Sequence, residues 1–310
     1  MKGFFHKPYS WAVVFSVFLI SFTTFVLLDT FLIPKRYTEV VDTELRTLKA
    51  NETEEAEDEI EDDKVEEAEA ITASSYEDKN IQINIETINE YDTAIYIADI
   101  QLTDVAYLKT ALAEDTYGRN IKETTSSMAE INNAIFAVNG DFYGFRDYGW
   151  VLRNGTLYRD TAGDAQAFVI DYAGSFSLFN ERETNLEALD LTSIWQILSF
   201  GPALIEEGNI VVNSKSEVAR SMASNPRTAI GMIEPLHYII VVSDGRTEES
   251  EGLSLLELAQ IFADKGCITA YNLDGGGSST MYFNGELVNI PTDGRSFGER
   301  EVSDIVYIGY

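Results

Sequence analysis

The sequence predicts an α+β fold, a single mixed-sheet domain with flanking helices, preceded by one N-terminal transmembrane helix and an acidic linker. Three observations carry this expectation. Residues Trp11 to Ile33 are almost wholly apolar, Glu39 to Glu69 is dominated by acidic side chains, and beyond Asn80 short β-type runs outnumber helical patterns. The expected boundaries are a tail at 1–10, an anchor at 11–33, an acidic disordered stalk at 34–79 and a folded domain at 80–310.

The apolar run is long enough, at about 1.5 Å per helical residue, to cross a bilayer core of roughly 30 Å. Its one acid, Asp29, lies where the side chain can reach the interface. Lys2, His6 and Lys7 precede the run and Lys35 and Arg36 follow it, so flanking charge alone sets no orientation. The large acidic domain that follows places the short N-terminus inside. A cleaved signal peptide would have an apolar region of about 7–15 residues and a small-residue cleavage site. Ile33-Pro34-Lys35-Arg36 supplies neither. The expectation is a single-pass anchor in the cell membrane with an extracytoplasmic C-terminal domain.

Next, the run NETEEAEDEIEDDKVEEAEA is poor in apolar residues and self-repelling, and should extend as a solvated stalk that holds the domain off the membrane. Ile81 to Glu86 alternates like a half-buried strand, and Thr93 to Ile100 reads as a second. Further strands are expected at Ala134–Asn139, Gln166–Asp171, Tyr238–Ser243 and Val302–Ile308. Short helices are expected at Met128–Asn133 and Leu186–Leu191. The clearest helix is Ser254–Lys265, with Ser254 as N-cap, an apolar stripe of Leu255, Leu258, Ala259 and Phe262, and Gly266 as its stop.

Composition excludes several kinds of chemistry. A formal net charge of -30 and pI near 4.2 argue against nucleic acid as a partner, since its binding needs Lys and Arg. One cysteine, Cys267, permits neither an internal disulfide nor a four-thiolate zinc site. Of the two histidines, His6 is in the tail and His237 sits in the apolar run Leu236–Ile240, where a core histidine satisfied by one hydrogen bond is expected. Triad catalysis would have to use His237 as its base. The remaining tools are carboxylates, arginines, hydroxyls and backbone amides.

Four polar clusters end apolar runs: Asn139-Gly140-Asp141-Phe142-Tyr143, Asn225-Pro226-Arg227-Thr228-Ala229-Ile230-Gly231, Asp244-Gly245-Arg246 and Asn272-Leu273-Asp274-Gly275-Gly276-Gly277-Ser278-Ser279. Strand ends present side chains to clefts without burying them. If these ends converge, Asp141, Asp244 and Asp274 meet Arg227 and Arg246. Three consecutive glycines let backbone amides point together at an anion, though a plain turn uses glycine too. No Gly-Lys-Ser/Thr follows, so this is not a P-loop. Ser278 and Ser279 lack an evident base and read as hydrogen-bonding groups. Arg227 offers a planar fork suited to a phosphodiester, or a structural ion pair.

Together, in this order, the four clusters resemble the motifs of the phosphodiester glycosidase family, as do Gly252-Leu253-Ser254-Leu255 and Gly298-Glu299-Arg300-Glu301-Val302-Ser303. The resemblance runs from about Ile81 to the C-terminus, and NLDGGGSS and NPRTAIG are its specific part. It implies hydrolysis of a sugar 1-phosphodiester. It further implies catalytic carboxylates among Asp274, Glu299, Asp141 and Asp244. Substrate and phosphate contacts would come from Asn139, Arg227, Arg246, Gly275, Gly276, Gly277, Ser278, Ser279 and Arg300. With an N-terminal anchor, the implied substrate is a cell-envelope or exopolysaccharide glycan. Cleavage at the anomeric carbon expels a phosphate monoester, a good leaving group, so a cationic clamp of Arg227 with Arg300 or Arg246 matters more than a proton donor. Asp274 would act as base or stabiliser and Glu299 as second carboxylate. Two other readings fit the same residues. The carboxylates could hold calcium or magnesium for hydrolysis at phosphorus, or the module could bind envelope polymers without turnover.

Overall fold

The computed structural model describes residues 9–38, 70–213, 224–294 and 296–310. Most of the acidic run assigned to the stalk lies outside them.

Strands are numbered in chain order. The largest sheet has the order β15-β14-β18-β16-β17-β5-β4-β3-β2. Its members are β2 (Ala70–Ile71), β3 (Ser75–Glu77), β4 (Ile81–Glu90), β5 (Thr93–Leu102), β14 (Ala203–Glu206), β15 (Asn209–Ile210), β16 (Arg227–Glu234), β17 (His237–Ser243) and β18 (Thr269–Asn272). A second sheet, β20-β19-β8-β23-β6, contains β6 (Leu108–Leu112), β8 (Phe136–Asn139), β19 (Met281–Phe283), β20 (Glu286–Leu287) and β23 (Asp304–Ile308). A third, β10-β9-β13-β11-β12, is built from β9 (Val151–Arg153), β10 (Thr156–Arg159), β11 (Gln166–Asp171), β12 (Phe176–Asn180) and β13 (Ile194–Ser199). Within these sheets every pairing between named strands is antiparallel. Two two-stranded ribbons complete the set: β1 (Lys35–Arg36) with β7 (Gly118–Arg119), and β21 (Thr292–Asp293) with β22 (Ser296–Phe297).

Period-two patterning decides how the large sheet is covered. On β17, Tyr238, Ile240 and Val242 join one apolar cluster, while Ile239 and Val241 join another on the opposite face. The first cluster also takes Phe136 and Val138 from the second sheet and Phe168 and Leu198 from the third, so the three sheets share one core. The second cluster packs under helix α3 (Leu255–Asp264), where Leu255, Leu258, Ala259 and Phe262 form the buried stripe. Ser254 and Glu257 close a capping box, and Gly266 follows at φ +79°. Helix α2 (Thr125–Ile131) covers the second sheet through Met128 and Ala129. The hairpin β4–β5 turns at Tyr91 and Asp92, both at φ 52°, as a two-residue turn of matching twist requires.

The N-terminal apolar helix, α1, runs Ser10–Phe31 and is exposed along most of its length. Three expectations change. The helix expected at Leu186–Leu191 is two 3-10 turns, Leu186–Ala188 and Leu191–Ser193, because Asn185 and Asp190 each accept a backbone N–H two residues on and restart the chain. The large sheet begins at Ala70, inside the stretch assigned to the stalk. Lys35–Arg36, also inside it, pairs antiparallel with Gly118–Arg119 of the domain. Two- and three-residue strands leave no hydrophobic period to read.

Candidate active site

Asn139, the last residue of β8, is fully buried and ties three of the four sequence motifs together. Its Oδ1 accepts from Thr228 Oγ1 at 2.7 Å and from the Thr280 amide at 3.3 Å, and its Nδ2 donates to the Asp274 carbonyl at 2.6 Å. The Asp274 amide in turn donates to the Gly140 carbonyl at 3.3 Å. Three of the four motifs thus meet at this residue.

The glycine run leaves β18 and turns over this junction. The Gly276 amide donates to the Pro226 carbonyl at 2.8 Å, which docks the run on the segment before Arg227. Gly276 has φ +64°, and a methyl there would sit 2.7 Å from Arg246 Nη2. A methyl on Gly277 would lie 2.5 Å from Arg300 Nη2 and 2.6 Å from Asp293 Oδ1. Any side chain on these residues would therefore push a guanidinium away. Arg246 and Arg300 both press on the run.

Asp274 opens the run. Its Oδ1 accepts from the Gly275 amide at 2.9 Å and its Oδ2 from Ser278 Oγ at 2.6 Å. Desolvation pushes its pKa above the ordinary carboxylate value, against those two hydrogen bonds and the charges of Arg300 and Arg146. It lines a cleft of about 330 Å³ with Asp141, Phe142, Phe145, Ser278 and Arg300, and with Lys122 at the rim. Arg300 is held by Asp293, whose Oδ1 accepts from Nε at 3.0 Å and Nη2 at 2.6 Å.

Asp141 reaches the same cleft with its carboxylate already engaged. Oδ1 accepts from the Tyr143 amide at 2.8 Å, and Oδ2 from Arg153 Nη2 and the Ser199 amide, each at 2.9 Å. Arg153 also binds Asp304, Nε to Oδ2 at 2.9 Å, so one buried guanidinium serves two buried carboxylates. Burial pushes the Asp304 pKa up to about 7, Arg153 only partly offsets this, and the charge of Asp141 adds to the rise.

Of the other sequence candidates, Arg246 and Arg227 adjoin the glycine run, a methyl on Gly275 lying 3.7 Å from Arg227 Cα, while the rest make contacts outside it. Asp244 is buried just past the end of β17, where it accepts from the Ile290 amide at 2.9 Å, Tyr96 Oη at 3.0 Å and Asn289 Nδ2 at 3.3 Å. It pins the chain leading into the β21–β22 ribbon. Arg227 packs beside Gly275, its Nε donating to the Leu253 carbonyl at 2.8 Å. Glu299 turns away toward α2, accepting the Ser126 amide at 3.0 Å and the Ser126 hydroxyl. Ser279 Oγ is buried, while the Ser279 carbonyl accepts from Asn289 Nδ2 at 3.1 Å. Arg246 opens onto a neighbouring cavity of about 400 Å³, with Thr292 and Phe297, on the other side of the ribbon.

Sequence reasoning did not pick out Arg146, Phe142, Phe145, Lys122 or Asp293. Phe142 lies within the Asn139–Tyr143 motif, and Phe145 and Arg146 continue it, so these three could have been found there. Arg146 holds its guanidinium between the rings of Phe142 and Phe200, 5.4 and 5.1 Å from their centroids. Among the described residues no group of three or more His, Cys, Asp or Glu is placed to hold a metal ion.

A model of the phosphodiester glycosidase family matches residues 132–309, more than half of the chain and the whole of the cleft apart from Lys122. The chain belongs to the phosphodiester glycosidase family. Among proteins similar to it, an uncharacterized SPbeta prophage-derived protein of Bacillus subtilis, YomE, is 31% identical over 202 residues, 63% of this chain and 31% of that protein. N-acetylglucosamine-1-phosphodiester alpha-N-acetylglucosaminidase of mouse is 34% identical over 110 residues, 32% of this chain and 21% of that enzyme. The matches thus span under a third of either relative. The catalytic domain of the zebrafish enzyme of that name, auto-inhibited by its pro-peptide, aligns with a TM-score of 0.60 at 22% identity, over 74% of this chain and 83% of that one. The chain also shares the fold of that domain.

Proposed function

We propose that this chain hydrolyses sugar 1-phosphodiesters, held in the cell membrane by α1 with its domain outside the cytoplasm, and that its substrate is a cell-envelope or exopolysaccharide glycan. The observation that carries the reading is the glycine run itself. It begins with a desolvated carboxylate, Asp274, and has a guanidinium against it at Gly276 and another at Gly277.

In this reaction the phosphodiester lies along the run, and Arg300, with Lys122 at the rim, takes up the charge of the departing phosphate. Asp274 faces the anomeric carbon, accepts a proton from the attacking water and stabilises the oxocarbenium-like centre. The C1–O bond breaks, water oxygen becomes the sugar hydroxyl, and a phosphate monoester leaves. Asp141, already neutralised by Arg153, supports the cleft floor. Arg227 and Asp244 hold the loops in place, and Glu299 holds α2. Phe142 and Phe145, stacked with centroids 4.6 Å apart, offer an apolar wall for the sugar.

The test is turnover by the full chain on a panel of sugar 1-phosphodiesters in oxygen-18 water. Label in the sugar supports the reading, and label in the phosphate overturns it in favour of attack at phosphorus. Loss of turnover with a chelator would point the same way, toward a divalent cation. Arg300→Ala should lower kcat/KM by about 2 kcal/mol of transition-state stabilisation.

A further inference from the structure

The structure joins the membrane helix to the domain directly beside the cleft. Only Leu32, Ile33 and Pro34 separate α1 from β1, at most about 10 Å of extended chain. β1 then pairs with β7, Lys35 opposite Arg119 and Arg36 opposite Gly118. The Tyr37 amide donates to the Tyr117 carbonyl at 2.9 Å. Asn120 Nδ2 donates to the Thr30 and Ile33 carbonyls, each at 3.1 Å, satisfying oxygens that the end of a helix leaves without partners. Lys35 Nζ reaches back to Asp29 Oδ2 at 2.7 Å.

The other side of this ribbon is the cleft wall. The Asn120 amide donates to the Gly144 carbonyl at 3.2 Å, and Tyr117 stacks on Tyr143 with centroids 5.3 Å apart. Phe145, next to Gly144, and Lys122, two residues after Asn120, line the cleft. Two exposed tyrosines flank the ribbon in sequence or through its ion pair: Tyr37 at 45%, directly after β1, and Tyr148 at 49%, next to the Asp147 that binds Arg119 of β7. Tyrosine favours the bilayer interface.

We infer that the cleft works at the membrane surface, on sugar 1-phosphodiesters whose alcohol arm is held in the bilayer, and that the β1–β7 pairing fixes its height. This rests on the diester activity and the α1 anchor proposed above. It replaces the expectation that the acidic run spaces the domain from the membrane, for the chain joins the domain on both sides of residues 39–69. The products are a free sugar and a phosphate monoester left on the membrane-held arm.

The experiment reconstitutes the full chain in vesicles, beside a version with a helical spacer of four EAAAK repeats between Pro34 and Lys35, roughly 30 Å long where helical. Both receive N-acetylglucosamine 1-phosphate esterified to a vesicle-embedded dialkylglycerol, the same diester placed within a lipid-tethered glycan, and its soluble methyl ester. The expected result is equal rates on the methyl ester within twofold, and at least a tenfold loss by the spacer chain on the membrane-held diesters. Of the two, the one cut faster by the native chain separates a lipid headgroup from a glycan as the source. Equal rates of both chains on the membrane-held substrates overturn the surface geometry and leave the diester activity standing. Hydrolysis of none of the three overturns both.

Discussion

Asn139 Nδ2 lies 2.6 Å from the Asp274 carbonyl oxygen, and that bond joins two sheets. Asn139 ends a strand of the second sheet, while Asp274 follows the strand of the large sheet that leads into the glycine run. The cleft forms where these edges are sewn together.

Replacing Asn139 with alanine should therefore loosen the fold as well as the site. The change leaves Thr228 Oγ1, the Thr280 amide and the Asp274 carbonyl each short of a buried partner. A cost of about 2–4 kcal/mol is expected, measured by urea denaturation. A loss under about 1 kcal/mol would mean the two edges are held by something else.

Gly277→Ala should do the opposite. The atoms nearest the added methyl are the far ends of two flexible side chains, Arg300 and Asp293. Stability should change by less than about 1 kcal/mol, while Arg300 swings away and KM for a phosphodiester rises at least several-fold. Steady-state kinetics on the folded variant decide the matter, and an unchanged KM would remove Arg300 from the binding surface.

Glu299→Ala separates support from chemistry. Glu299 accepts the Ser126 amide at the start of α2, so its loss should cost about 1 kcal/mol of stability, as removal of a helix cap does. Turnover should stay within twofold. A hundredfold fall in kcat with α2 intact would restore Glu299 as the second carboxylate.

The pH profile follows from Asp274. Burial raises its pKa, so the protonated form persists at pH values where an ordinary carboxyl group has ionised. A base must be ionised, hence kcat/KM should fall on the acid side with an apparent pKa above the usual carboxylate value. Ser278→Ala removes a hydrogen bond that favours the anion and should move that limb to still higher pH. A limb that stayed in place would mean another group controls the rate.

Much of the site was legible because its parts are local. The glycine run, the Asn-Pro-Arg segment and the strand ends around Asn139 and Asp274 each announce themselves within a few residues, and alternation placed most of the strands that aim them. Function of the charges was harder to read. Asp141 looks like a free acid until Arg153 and Asp304, from two other strands, are brought to it. Asp244 looks like a site residue because it follows a strand, yet its hydrogen bonds stitch loops. Glu299 and Arg300 are adjacent and face opposite ways, one to α2 and one to the cleft. β1 left no trace in the sequence, since two residues carry no period and their partners are more than eighty positions away.

Arg300 is never a bare cation, because Asp293 already occupies it. If a phosphodiester takes the Nε and Nη2 edge, it exchanges one anion for another, and the carboxylate it displaces must find water instead. Added salt screens the outgoing partner along with the incoming one. Occupancy of this groove should consequently respond weakly to ionic strength, and selectivity among anions should follow how well each fits the fork and the amides rather than how much charge it carries.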